Sequence, residues 1–401
     1  MSASSLLRHR PFLLLWLGSM AASLGLAVAL LAETWYAVQV LKLEAQLGYV
    51  LLAGTLPRLL LMALGGVLAD RLPRGKLMAG SFVARALLLM LMGWLIAQGW
   101  LGFAELLIMA ALYGVLDALF WPARDAILPQ LLSGNALTQA NAWMLATNQL
   151  GLVLGPMVGS ALLAWHDFPM VFALTGVLML AGAIACAAIV ISPAGQRIHT
   201  DMWQSLREGL ACAWHTPVLR WILLIYAFAN LLFMGPMGLA PALLAAKLEG
   251  GSATVLAQLQ SALSAGMLVG GILLGLYPPR RKRLLMICGL IAIEGVLLAL
   301  LPQSTALGAT LIQLLIGLCI AGNNVPMLSL LQQHTPPDKI GRVMSLNSMA
   351  SLGLTPVAYG LCSLLLAGGV SLGWLAAGGG LLLAALCILL PLCVRTLRQT
   401  D

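Results

Sequence analysis

The sequence predicts an all-α integral membrane protein of twelve transmembrane helices in two six-helix, pseudo-symmetric halves. Three observations carry this reading. Of 401 residues, 61% are hydrophobic and only 8% are charged, whereas a soluble domain carries about 25% charged residues. The apolar residues fall into twelve stretches, each near the ~20 residues a helix needs to cross the hydrocarbon core. A set of glycines and prolines in the first half of the chain also returns, in the same order, in the second.

The spans read in order as 12–39, 49–69, 77–98, 104–122, 138–163, 168–192, 217–245, 253–277, 284–301, 305–331, 343–367 and 370–394. The first follows Arg8 and Arg10, as a signal peptide would, but stays apolar to about Val40. That is too long for a signal h-region, so it is read as helix 1. Spans 2 and 3 flank the short polar run Asp70 to Lys76, and span 4 closes at Pro122. Span 6 runs into Ser192-Pro193-Ala194-Gly195, which opens the longest hydrophilic segment. That segment divides the chain into 1–192, a linker 193–216 and 217–401. Within the linker Trp203, Leu206, Leu210 and Trp214 recur at helical spacing, which predicts a short helix lying on the membrane face. Short alternating segments of the β-barrel kind are missing from this pattern.

The repeat supports the two halves. Gly65-Gly66-Val67-Leu68 before Pro73 returns as Gly270-Gly271-Ile272-Leu273 before Pro278, Pro122 returns as Pro326, and Pro156 as Pro356. Matched helix breaks of this kind mark transporters built from repeats, with the substrate site between them near mid-bilayer.

The formal charge of +8 does not point to nucleic acid. With the N-terminus placed in the cytoplasm, the Lys and Arg residues outside the spans gather on the cytoplasmic side, and only Lys42 and Lys247 fall on the other. This is the orientation the positive-inside rule selects, with both termini cytoplasmic. The seven cysteines form no CxxC pair and read as packing residues rather than disulfides or metal ligands. The five histidines lie in loops or at span ends, and no catalytic constellation falls within a span; an enzyme is not expected. There is no Walker loop, so an ATP-driven pump is excluded. Nor does any filter or ring of charge suggest a channel. No cofactor and no metal are called for.

Residues 65–78 carry the most specific signal. Gly66, Leu68, Ala69, Asp70, Arg71 and Arg74 match a pattern that resembles the loop between helices 2 and 3 of the major facilitator superfamily. Pro73 stands where that family has Gly, and the second cation slips to Lys76. In span 5, Gly151, Gly155, Pro156, Gly159 and Ser160 are similar to a motif of the exporters in that superfamily. Physically it is a flat face on which another helix packs closely. The junctions Phe120-Trp121-Pro122 to Asn141 and Leu331 to Val343 resemble the branch holding the enterobactin exporter and macrolide efflux proteins. The resemblance implies an inner-membrane secondary transporter working by rocking of two halves, monomeric in the lipid bilayer and exchanging protons for a small molecule. It suggests a siderophore or similar secreted metabolite as substrate, with multidrug or macrolide efflux and lysophospholipid transport as alternatives. It also implies a cytoplasmic gate. Asp70 would sit by the helix around Gly341 and Arg342, where a helix N-terminus favours an anion, with Arg71, Arg74 and Asp125 completing a charge relay.

Charges inside spans are costly and informative. Glu33, Arg58, Arg85, Asp117 and Glu294 are such charges. Depth and neighbouring spans suggest two ion pairs, Glu33–Arg58 and Arg85–Asp117. Either pair could simply pin helices, which is the better reading for Arg85–Asp117. Glu33 is the preferred proton-coupling candidate and Asp117 the second, since a carboxylate away from water can favour its neutral form. Glu294 has no evident partner and receives no coupling role. By resemblance the cavity draws on helices 1, 4, 7 and 10, with Trp35, Tyr36, Tyr113, Tyr226, Asn230, Asn323 and Asn324 as candidates.

Overall fold

The computed structural model describes residues 9–132, 134–189, 210–279, 282–336, 343–344, 346–347, 349–350 and 353–394. Twelve labelled helices fall among them: α1 (Arg10–Gln39), α2 (Leu47–Arg71), α3 (Arg74–Ala97), α4 (Phe103–Leu131), α5 (Gly134–Trp165), α6 (Phe168–Ala187), α7 (Pro217–Lys247), α8 (Ala253–Leu276), α9 (Arg283–Leu300), α10 (Ala306–Gln333), α11 (Thr355–Ala367) and α12 (Leu372–Cys393). Ten have the length and apolarity to cross a membrane; the apolar stretches Leu47–Met62 and Thr355–Ala367 are shorter. No strand occurs among the described residues. Much of the linker 193–216 lies outside them, Trp203 and Leu206 included. Residues 210–215 are helical, with Leu210 and Trp214 exposed.

Local sequence sets the helix ends. Asp167, Thr305 and Ser371 each accept a hydrogen bond from the backbone N–H three residues on, satisfying donors that a helix start leaves unpaired. Proline stands in the first turn of α1, α6, α7 and α11, where its missing N–H costs nothing. Span 4 does not close at Pro122: α4 continues through Pro122 and Pro129 to Leu131. Membrane helices tolerate this when neighbours accommodate the freed carbonyls. Pro122 leaves the Ala118 carbonyl without its helical donor. That carbonyl lies so close to Gly65 of α2 that a Cβ there would sit 2.3 Å from it. Likewise Pro236 in α7 frees the Leu232 carbonyl, and a Cβ on Gly379 of α12 would lie 2.7 Å from that oxygen.

The chain forms two compact units, residues 1–197 with 251–261 and residues 198–250 with 262–401. In the first, α2 packs along α4, α3 along α6, and α1 on α5 and α6. In the second, α9 packs along α12, and α7 on α11 and α12, while α10 lies on α9. Glycines set the closest crossings. A Cβ on Gly114 of α4 would lie 2.1 Å from the Gly54 carbonyl of α2. In the second unit a Cβ on Gly317 of α10 would lie 2.1 Å from the Leu263 carbonyl of α8. The outer faces are apolar: Leu381, Leu382, Ile388, Leu389 and Leu392 of α12 are all exposed, as suits hydrocarbon rather than water.

Candidate functional site

Asp117 is the centre of the first unit's buried chemistry. Its side chain is 1% exposed and accepts from three donors. Arg85 Nη1 of α3 reaches Oδ1 at 3.0 Å. Arg58 Nη1 of α2 and Trp121 Nε1 of α4 reach Oδ2 at 3.2 and 3.0 Å. Trp121 sits one helical turn beyond Asp117, the spacing that places both on one face. Arg85 is wholly buried. Its guanidinium carbon lies 4.8 Å from the Phe82 ring centre, 5.1 Å from Phe120 and 5.8 Å from Tyr113, a cage that cation–π attraction stabilises. Arg85 Nε and Nη2 and the Tyr113 hydroxyl complete no hydrogen bond with the described residues.

The Arg85–Asp117 pair expected from sequence is present. The Glu33–Arg58 pair is not: Arg58 joins Asp117 instead. The reason is packing. α2 runs along α4, whereas α1 lies against α5 and α6 and barely meets α2. Glu33 makes no ion pair among the described residues and is only partly buried. It lies within electrostatic reach of Tyr113, which also feels Arg85 and Asp117. Two guanidinium groups on one carboxylate leave the cluster with one excess positive charge.

α5 fixes the helix that carries Glu33. A Cβ on Gly151 would lie 2.5 Å from Ser23 Cβ, and one on Gly155 would lie 2.4 Å from Ala27 Cβ. One on Gly159 would lie 3.2 Å from Leu31 Cδ2. Trp16 Nε1 donates to Thr147 Oγ1 at 2.6 Å and Ser23 Oγ to Asn148 Oδ1 at 2.8 Å across the same interface. The motif with Pro156 is therefore a seat for α1. Gly155→Leu is expected to wedge α1 off α5 and lower the yield of folded protein at least several-fold, because overpacking costs about 1–3 kcal/mol or more. Size-exclusion chromatography of the purified variant checks this; a monodisperse wild-type yield would contradict it.

At the end of this unit predicted to face the cytoplasm, Arg74 is buried and its Nη1 donates to the Ala126 carbonyl at 2.6 Å. The described ion pair of Asp125 is with Arg124, at 2.6 Å, and Arg124 in turn stacks over Trp121 at 4.5 Å. Both residues line a cavity of about 210 Å³ together with Asn141 and Asn148. The other proposed gate residues lie outside the described residues: Gly341 and Arg342 entirely, Asp70 and Arg71 in their side chains.

The remaining cavity candidates divide. Trp35 and Tyr36 are buried, and the Tyr36 hydroxyl donates to the Leu101 carbonyl at 3.2 Å while its ring meets Phe168. Asn230 donates to the Tyr226 carbonyl one turn back in α7, at 2.8 Å. The Tyr226 hydroxyl donates to Asn323 Oδ1 and also lies 3.0 Å from Asn324 Oδ1. Glu294, expected to be without a partner, accepts from Asn323 Nδ2 at 2.5 Å. Sequence reasoning names Phe120 and Trp121 only within a family-like junction, with no role at Asp117 or Arg85, and does not reach Phe82. Only the four-residue step from Asp117 to Trp121 could have signalled one of them.

A family model described as Major Facilitator Superfamily matches residues 15–354. Macrolide efflux protein A of Streptococcus pyogenes is 24% identical over 401 residues, covering 97% of each chain. Multidrug efflux pump Tap of Mycolicibacterium fortuitum is 26% identical over 390 residues, covering 90% of this chain and 89% of its own. Among solved structures, a bacterial homologue of the iron transporter ferroportin superposes with a TM-score of 0.71 at 20% identity, over 97% of this chain and 99% of that one. A POT family transporter gives 0.72 at 10% identity over 97% of each. At these identities the structures speak for the fold alone.

Proposed function

This chain belongs to the Major Facilitator Superfamily, and we propose that it is a proton-coupled efflux transporter of the inner membrane whose substrates are bulky, amphipathic drug-like molecules of the macrolide kind. The observation that carries the substrate reading is the end-to-end similarity to relatives named for macrolide and multidrug efflux. It moves the drug-efflux alternative ahead of siderophore export, which these relatives do not favour.

Coupling rests on the first unit. Asp117 is committed to two arginines and an indole, so it acts as the fixed anion of the cluster. Glu33, without an ion pair among the described residues and partly accessible, is the group that loads and unloads. A proton on Glu33 leaves the cluster's excess positive charge unbalanced, and its loss restores neutrality. That difference in charge is the differential interaction through which a proton shifts a conformational equilibrium. The pairing of helices in the first unit, α2 with α4, α3 with α6 and α1 with α5, has its counterpart in α8 with α10, α9 with α12 and α7 with α11. This supports twelve spans in two six-helix halves, and the placement of the basic residues supports cytoplasmic termini.

The test is efflux from cells that lack their own drug pumps. Cells expressing the protein are expected to hold several-fold less radiolabelled erythromycin than cells with empty vector, and a protonophore should abolish the difference. Equal accumulation of erythromycin and of ethidium in both strains would overturn the drug reading. A chelator absent from the spent medium of an iron-starved deletion strain would then favour the siderophore alternative.

A further inference from the structure

We propose that Glu294, Asn323 and Tyr226 form a second proton-binding site, built entirely from the second unit, in which the Glu294 carboxyl takes the proton. Glu294 stands in the middle of α9 and is 5% exposed. Its Oε1 accepts from Asn323 Nδ2 of α10 at 2.5 Å, and Asn323 Oδ1 accepts from the Tyr226 hydroxyl of α7. The amide is thereby keyed at both ends. Its oxygen faces a phenol that must donate, and its nitrogen faces the carboxyl. Three helices are tied through one side chain, 29 residues from Glu294 and 97 from Tyr226 in sequence.

The groups that face Glu294 make it a proton site rather than half of a salt bridge. Tyr226 from α7, Cys319 from α10 and Cys387 from α12 lie within its electrostatic reach, and Cys288 of its own helix adjoins Cys387. None is a cation, and no described Lys, Arg or His forms an ion pair with Glu294. One neutral amide donor does not replace the hydration of a full charge withdrawn from water. Proton binding at this carboxyl therefore depends on whether further donors or water reach it.

α10 is built to let them in. Pro326 removes the helical donor of the Gly322 carbonyl, so the turn that carries Asn323 lacks a backbone hydrogen bond. Its neighbour Asn324 is exposed and lies 3.0 Å from the Tyr226 hydroxyl. A phenol has one proton for two acceptors, so Tyr226 can pass its donation from Asn323 to Asn324. That exchange frees the Asn323 oxygen and lets the amide turn away from Glu294. Proton uptake at Glu294 and the Tyr226 contact between α7 and α10 are coupled in this way. A titrating carboxyl is a property of the protein itself, whatever molecule it exports.

The experiment is infrared difference spectroscopy of the purified full-length protein in lipid, stepped from acidic to alkaline pH. Wild type is expected to show the carbonyl stretch of a protonated carboxyl that disappears at alkaline pH. The band should be lost in Glu294→Gln and retained in Glu33→Gln. In Asn323→Ala it should move to higher frequency, because the donor on the carboxyl oxygen is gone. Should Glu294→Gln not fold, Asn323→Ala alone decides. A pH-dependent band untouched by either substitution, or none at all outside that of Glu33, overturns the proposal, and erythromycin efflux could still be intact.

Discussion

Asp117→Asn is expected to abolish transport and to reduce the folded protein sharply. The substitution keeps size and shape but removes the single anion that faces Arg58 and Arg85. The two cations respond differently. Arg58 is 38% exposed and can turn outward, where its head finds water or lipid headgroups. Arg85 is wholly buried inside its aromatic cage, and Nη1 is its described link to an anion. Breaking a buried pair from one side costs about 3–5 kcal/mol, because the partner charge stays behind. A marginally stable fold does not absorb that without loss. Arg58→Gln should therefore be mild in stability, Arg85→Gln severe, and the double variant Asp117→Asn with Arg85→Gln should regain folded yield without regaining transport. Asp117→Glu should fall near wild type in yield. Fluorescence-detected chromatography and thermal unfolding separate these outcomes. A well-folded, fully active Asp117→Asn protein would mean that the cluster serves neither stability nor coupling.

What the sequence disclosed, and what it hid, follows from whether a signal is local. Apolar length is local, so spans were legible, and so was the seat of α1: three glycines at four-residue spacing must lie on one helical face. Which helix occupied that seat was not legible, because α1 is distant in sequence from Gly151, Gly155 and Gly159. The misassigned Glu33–Arg58 pair has the same origin. Consecutive spans read as neighbours in sequence, but Gly54 and Gly114 bring α2 so close to α4 that a Cβ on Gly114 would lie 2.1 Å from the Gly54 carbonyl, and Arg58 follows its helix to Asp117. The end of α4 was misplaced because Pro122 reads as a helix stop, while a bilayer lets a helix run through proline when a glycine such as Gly65 covers the freed carbonyl. Glu294 looked unpartnered because an amide and a phenol carry no charge for a sequence reading to match. The gate around Asp70 and Gly341 stays an expectation that rests on the loop pattern.

Glu33→Gln is expected to cut proton-driven erythromycin transport at least tenfold while leaving erythromycin exchange intact. The side chain hydrogen-bonds to no described residue and is only partly buried, so the amide should fit without strain and the fold should survive. What changes is charge. In the proposed cycle, deprotonated Glu33 is the anion that offsets the one excess positive charge of Arg58, Arg85 and Asp117, and Tyr113 feels Glu33, Arg85 and Asp117 alike. Glutamine fixes the protonated charge state, so the protein can no longer cycle between balanced and unbalanced forms. An imposed pH gradient then has no purchase on the conformational equilibrium, because a ligand moves an equilibrium only by its differential affinity for the two states. Exchange of labelled for unlabelled erythromycin at equal pH needs no net proton movement and should continue near the wild-type rate. Proteoliposomes holding the purified variant measure both. Loss of both activities would make Glu33 a substrate or structural residue. Gradient-driven transport at full rate would move coupling off helix α1, leaving the Glu294 site of the second unit as the group to test next.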